Sequence, residues 1–171
     1  MPPRGWQRRV ERLALDLRPR FVADVMLGRL ARWLRALGYD TAYVRDASDR
    51  QLLGLALRED RRLLTRDVAL ARLARERGLL IRGDGLDDQL REVVRAWGLA
   101  APTLLTRCLE CNVPLEPVGR DAVRDRVPPY TFATQRAFRT CGGCGRVYWP
   151  GTHAAGILER LRPFLAASGR P

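Results

Sequence analysis

The stretch Phe21-Val-Ala-Asp-Val-Met-Leu-Gly-Arg-Leu-Ala-Arg-Trp-Leu-Arg-Ala-Leu-Gly38 decides how the chain folds. Phe21 to Asp24 is a short apolar run of strand length. Leu27, Leu30, Ala31 and Leu34 then recur at helical spacing up to Gly38, a natural helix stop. The stretch therefore reads as one β-α unit. The same alternation continues outward from it. Thr41 to Val44 is β-branched and aromatic, and Ser48-x-x-Gln51 is a capping box that opens a helix through Leu52, Leu53, Leu55, Ala56 and Leu57. Arg62 to Thr65 predicts a third strand, with Asp67 opening a helix that carries Leu70, Ala71, Leu73 and Ala74 and closes at Gly78. Leu79 to Arg82 predicts a fourth strand, followed by a helix lined by Leu86, Leu90, Val93, Val94 and Trp97 before Gly98. Four β-α units in succession predict an α/β fold, a parallel sheet covered by helices on both faces.

Ligands of such sheets bind outside the carboxyl ends of the strands, and here those ends are acidic. Asp24 follows the first strand, Asp46 and Asp49 the second, Asp67 the third, and Asp84 the fourth, with Asp87 and Asp88 close behind. Each alone fits a helix N-cap or the positive end of a helix dipole. Together they suit a hard divalent cation, because carboxylates gathered at one edge repel unless a cation neutralises them, and oxygen ligands favour Mg2+ or Mn2+. A site of that kind hydrolyses phosphodiesters without Lys or His.

After Pro102 the character of the chain changes. Cys108-Leu-Glu-Cys111 and Cys141-Gly-Gly-Cys144 hold the only four cysteines, with 29 residues (112 to 140) between the pairs. This is the spacing of a tetrahedral four-thiolate zinc ribbon, which is structural because four thiolates leave no position for water. Pro117 to Pro129 reads as a polar, charged linker between the knuckles. Thr152 is placed to cap a final helix with Ile157, Leu158, Leu161, Phe164 and Leu165 on one face.

Composition excludes several chemistries. All 31 basic residues are Arg, the formal charge is +12, and the 171 residues contain no Lys and a single His, His153. A Walker A loop, a Schiff-base enzyme and a receiver-type phospho-acceptor all need a Lys. A Ser or Cys hydrolase would have to rest on His153 alone. An excess of Arg favours a polyanionic partner, since guanidinium pairs with phosphate through a bidentate fork. Residues 1 to 17 have no signal-like apolar stretch, and no run of about 18 apolar residues occurs. The expectation is a cytoplasmic protein without a membrane span.

The segment from Phe21 to Asp40, Leu63-Leu-Thr-Arg-Asp67, Arg107-Cys-Leu-Glu-Cys-Asn112 and Cys144-Gly-Arg-Val-Tyr-Trp-Pro-Gly-Thr-His153 together closely resemble the Mut7-C family over about residues 20 to 155. That family is described as a PIN-fold ribonuclease domain with a C-terminal zinc ribbon. The chain is expected to divide into a lead-in over 1–20, a PIN-like domain over 21–104, the ribbon over 105–153, and a C-terminal helix and tail over 154–171. The resemblance implies a ribonuclease acting on RNA, with a zinc ribbon that assists RNA engagement, structural Zn2+ on Cys108, Cys111, Cys141 and Cys144, and catalytic Mg2+ or Mn2+ on Asp24, Asp49, Asp67 and Asp84. PIN domains usually carry Glu at the second of those places, where this chain has Asp49.

Arg29, Arg32 and Arg66 are candidates to clamp phosphate near these acids, whereas Arg35 reads as part of a solvated face. Tyr148 and Trp149 are candidates to stack on bases, while Trp33 and Trp97 read as core. Two other functions remain open. In a non-catalytic nucleic-acid or protein-binding adaptor, the Asp residues would only cap helices. A haloacid-dehalogenase-type phosphatase would need a second Asp two residues after Asp24, where Met26 stands.

Overall fold

The computed structural model of the protein describes residues 18–99 and 105–151, with Gly156 and Glu159. Both of those last two are helical. His153, the apolar face expected after Thr152 and the lead-in up to residue 17 lie outside the described residues.

Four parallel strands form the larger sheet: β1 (Arg20–Ala23), β2 (Thr41–Tyr43), β3 (Arg61–Thr65) and β4 (Gly78–Leu80), in the order β2-β1-β3-β4. The helices between and after them are α1 (Gly28–Ala36), α2 (Asp49–Arg58), α3 (Val68–Ala74) and α4 (Leu86–Trp97). Buried residues of α1 and α4, among them Leu30, Leu34, Leu90 and Val93, pack with Phe21 and Leu64 on one face of the sheet. Leu52 and Ala56 of α2 and Leu70 of α3 pack with Val22 and Leu63 on the other. Successive residues of β1 and β3 thus feed opposite cores, as the period of two in a strand requires. Each fully buried Leu or Phe contributes about 1.5–3 kcal/mol relative to an exposed one. Trp97 packs against this core, its ring 5.6 Å from that of Phe21.

The strand order has a functional consequence. The chain leaves β1 for β2 on one side and returns to β3 on the other, so β1 and β3 are neighbours that are not consecutive. That is a topological switch point, and its carboxyl end is where parallel sheets open a crevice.

Local signals account for the helix starts. Ser48 and Gln51 form the expected capping box, and Asp67 caps α3. The α-helix proper ends at Ala74 and passes into a 3-10 turn over Arg75–Arg77, which Gly78 caps as expected. Gly78 also begins β4, where a Cβ would lie 2.6 Å from the Ala71 carbonyl oxygen, so the strand can approach α3 this closely only without a side chain.

The smaller sheet is antiparallel, β5 (Leu115–Val118), β6 (Phe138–Cys141) and β7 (Val147–Tyr148) in the order β5-β6-β7. The segment expected to be a linker is ordered structure. It contains the second half of β5, a 3-10 turn over Arg120–Val123 and the start of α5 (Pro129–Thr134). Val123, Val127 and Phe138 bury a small core there, and the Arg120 and Arg124 guanidinium groups lie 4.2 and 4.8 Å from the Phe132 ring centroid. Val118, Phe132, Val147 and Trp149 pack against that core.

The ribbon is fastened to the larger sheet at the edge opposite the strand carboxyl ends. Arg35, only 5% exposed, donates to the carbonyls of Thr41, Leu109 and Glu110. It is therefore an internal bolt between α1 and the first knuckle, and the expectation of a solvated face is overturned. Asn112 accepts from the Thr41 amide at 2.9 Å and donates to Asp40 at 2.7 Å. Asp40 also accepts from Arg61 at 2.6 Å and Arg20 at 3.2 Å. Burial would raise the Asp40 carboxyl, but the hydrogen bonds from Arg61 and Asn112 outweigh it and hold the group below the usual carboxylate range.

Candidate functional site

The four cysteines come together. Their sulfur atoms all lie within 4.8 Å of one another, with Cys108 and Cys144 3.7 Å apart. Four sulfurs around zinc at its usual bond length stand about 3.8 Å apart, so the cluster is already near the size of that ion. The two knuckles are built alike. The amide of Cys111 donates to Cys108 Sγ at 3.3 Å, and that of Cys144 to Cys141 Sγ at 3.4 Å. The residue after each pair turns into the left-handed region, Asn112 with φ 63° and Gly145 with φ 71°. Asn tolerates that conformation better than most residues with a Cβ, and its amide is then free to make the bonds to Thr41 and Asp40.

The thiols are electrostatically linked. Burial opposes charge on Cys108, but hydrogen bonds from the Tyr148 hydroxyl and from the Cys111 and Glu110 amides outweigh it and bring the thiol down to about 6. Cys111, hydrogen-bonded to Cys144, is pushed up to about 12. The close packing of the four sulfurs suits a dication that replaces their protons.

At the switch point, Asp24 and Asp67 are joined through one side chain. The Thr65 hydroxyl, fully buried, donates to Asp24 Oδ2 at 2.7 Å and accepts from the Asp67 amide at 3.0 Å. Asp24 is 7% exposed, its other oxygen accepts from the Val25 amide at 2.6 Å, and its own amide donates to the Leu64 carbonyl at 2.9 Å. Asp67 is exposed and caps α3 through the Leu70 amide at 2.7 Å. Thr65 is the residue that sequence reasoning passed over here; its place two residues before Asp67, at the end of an apolar strand, was the available signal.

The other acids stand apart from this pair. Asp49 is exposed at the first position of α2, and Asp46 is exposed in the turn before it. Asp84, its side chain 94% exposed, pairs with Arg66 at 2.7 Å. Asp87 and Asp88 lie in the first turn of α4. Among the described residues, the cysteines are the one group of three or more metal-capable side chains whose ligand atoms gather, so Asp24, Asp49, Asp67 and Asp84 do not converge as a set.

The arginines divide as well. Arg29 and Arg66 share a cleft of about 350 Å3 with Asp84, Met26, Leu86 and Gln89. Arg32, one turn further along α1, faces the ribbon and pairs with Glu110 at 2.6 Å. Among the described residues, no helix is long and apolar enough to cross a membrane.

A parallel α/β sheet with an aspartate pair at its switch point, docked to a four-cysteine cluster positioned to bind a metal, is the class the fold defines. The sequence model described as the Mut7-C RNAse domain matches residues 19–161, and the chain belongs to that family. Membership suggests a nuclease-like function. No curated protein and no solved structure matches the chain.

Proposed function

We propose that the protein is a PIN-type ribonuclease that hydrolyses RNA phosphodiester bonds at the carboxyl edge of its parallel sheet. Asp24 and Asp67 would hold a Mg2+ or Mn2+ ion there, with Asp49 and Asp84 as the further acids of that edge, and zinc in the cysteine cluster would be structural. The observation that carries the reading is the Asp24–Thr65–Asp67 bridge at the β1/β3 switch point, in a chain of a family described as an RNAse domain.

The donor set suits the ion, since both acids offer hard oxygens and Asp67 is exposed. When bound, such an ion supplies an activated water and offsets charge developing on the phosphoryl oxygens. Thr65 keeps the Asp24 carboxylate oriented and holds the Asp67 backbone through its amide. Arg29 and Arg66, which line the neighbouring cleft, clamp the phosphate through their forks, and Arg66 exchanges Asp84 for it. That exchange costs little, because an exposed ion pair contributes only about 0–1 kcal/mol.

The test is cleavage of single-stranded RNA in Mn2+ by the wild type and by Asp24→Asn/Asp67→Asn. Asn caps helices about as well as Asp, so the fold should persist while cleavage is abolished. Unchanged cleavage would overturn the reading. A non-catalytic adaptor is the second reading, and two observations favour it: Asp24, Asp49, Asp67 and Asp84 do not converge as a set, and the Asp24 and Asp67 carboxylates already accept amide hydrogen bonds at the start of helical turns. It predicts RNA binding without cleavage by the wild type.

A further inference from the structure

A second cleft, of about 420 Å3, lies where the ribbon meets α1, and the carboxylate chemistry makes no use of it. It is lined by Arg32, Arg126, Arg146 and Glu110, with Tyr148 and Trp149. Three guanidinium groups thus face a single carboxylate. Glu110 pairs with Arg32 at 2.6 Å and with Arg146 at 3.6 Å, and those arginine side chains are 55% and 61% exposed. Arg126 donates to the Gly145 carbonyl. Exposed pairs of this kind contribute little to stability, so stability alone does not account for three arginines converging here.

The cleft is preorganised by the docking of the ribbon. Arg35 fixes the carbonyls of Leu109 and Glu110, and the Tyr148 hydroxyl is occupied by Cys108 Sγ at 3.2 Å and the Leu109 amide at 3.1 Å. Tyr148 is therefore a wall held by the knuckle, half-buried and lining the cleft beside Trp149. Trp149 is half-buried against the Val123, Val127 and Phe138 core while also lining the cleft, an aromatic surface held at an electropositive opening.

Arg29, in the cleft beside Asp84, and Arg32, in the ribbon cleft, stand three residues apart on α1. Their backbone positions differ by about 4.5 Å along the helix axis, so the two clefts border the same stretch of α1. We infer that the ribbon cleft is a subsite for single-stranded RNA, in which Arg32, Arg126 and Arg146 hold backbone phosphates and Trp149 stacks on a base, continuing the path of a strand whose scissile phosphate lies at Asp24 and Asp67. The choice of RNA as the polyanion rests on the ribonuclease reading, whereas the cleft and its charge do not. A groove of cations with one aromatic platform suits a single strand, whose bases are free to stack, better than a duplex.

The experiment measures anisotropy of a fluorescein-labelled twelve-nucleotide uridine strand and of a twelve-base-pair RNA duplex across a salt series, using the full zinc-loaded chain with no divalent cation added. Arg32→Ala/Arg146→Ala should weaken single-strand binding by about tenfold and make the log–log salt slope shallower by about 1.4, two phosphates at about 0.7 each. Trp149→Ala should weaken it at least about fivefold, the lower end for losing one stacked base. Glu110→Gln should tighten it, since a competing anion is removed. Arg32→Lys/Arg146→Lys keeps both charges and should recover most of the lost affinity, which separates a phosphate role from a ribbon that has come undone. Unchanged affinity in the alanine pair, lysines that restore nothing, or an equal loss on the duplex would each overturn the assignment. A protein that binds the strand in this way yet never cleaves it would refute the ribonuclease reading and leave the subsite standing.

Discussion

The cysteine cluster and the carboxyl edge of the sheet both collect acidic ligands, but they satisfy them differently. In the cluster, four sulfurs lie within 4.8 Å of each other, supported by knuckle amides and by Tyr148. At the edge, Asp24 and Asp67 are tied by Thr65, while Asp49 and Asp84 stand apart and exposed. A set that converges before its metal arrives is a structural site, closed to water. At the edge no such set has formed: Asp24 is buried and bonded through both oxygens, and Asp67 is exposed. The contrast is between a gathered set of sulfurs and a dispersed set of oxygens, and turnover at the oxygens is the proposal it puts to the test.

The largest effect should come from breaking the closed side of that contrast. Cys108→Ser/Cys141→Ser removes both buried thiols and should abolish zinc binding, for which structural sites contribute on the order of 10 kcal/mol of folding free energy. Metal analysis should read about one zinc per wild-type chain and none in the variant, and proteolysis should cut within residues 105–151. A variant that retains zinc would erase the distinction. On the open side, Asp24→Asn/Asp67→Asn should cost several kcal/mol of transition-state stabilisation, about a thousandfold in single-turnover cleavage, with zinc content and melting temperature nearly unchanged.

The joint between the two regions should give an intermediate effect. Asp40→Asn removes one of two carboxylates from Arg61, only 5% exposed, which meets Asp40 at 2.6 Å and Glu59 at 2.8 Å. Losing a hydrogen bond to a charged group costs about 1.5–3 kcal/mol, to be read from denaturant unfolding. The smallest effect is a pH dependence. Because the folded state lowers the Asp40 carboxyl, its contribution is fully present above the unfolded value near about 3.9 and is lost as pH falls through the folded value. Stability should therefore fall less steeply below about pH 4 in Asp40→Asn than in the wild type; parallel curves would remove Asp40 from the account.

What was legible in the sequence was local. The capping box at Ser48, the Asp67 cap and the four alternating apolar runs each act within a few residues, and their strands appear within about two residues of the expected positions. The cysteine cluster was legible because its geometry follows from ligand chemistry. Arg35 was misread because its partners, the carbonyls of Leu109 and Glu110, lie 74 and 75 residues away. A signal was present, since Arg35 follows Ala31 by four residues and so falls on the apolar stripe of α1. The segment from Pro117 to Pro129 was misread because Val118, Val123 and Val127 are too sparse among charges to show a period. For the acids, spacing says which strand end each occupies but not where it turns, and only three dimensions separate the Asp24–Asp67 pair from Asp49 and Asp84.

The most direct test is an anomalous-scattering map from crystals of the protein soaked in Mn2+, recorded so that manganese and zinc are distinguished. The account predicts zinc among Cys108, Cys111, Cys141 and Cys144 and manganese bound by Asp24 and Asp67 at the β1/β3 switch point. Zinc at the cysteines with no manganese at that edge would contradict it.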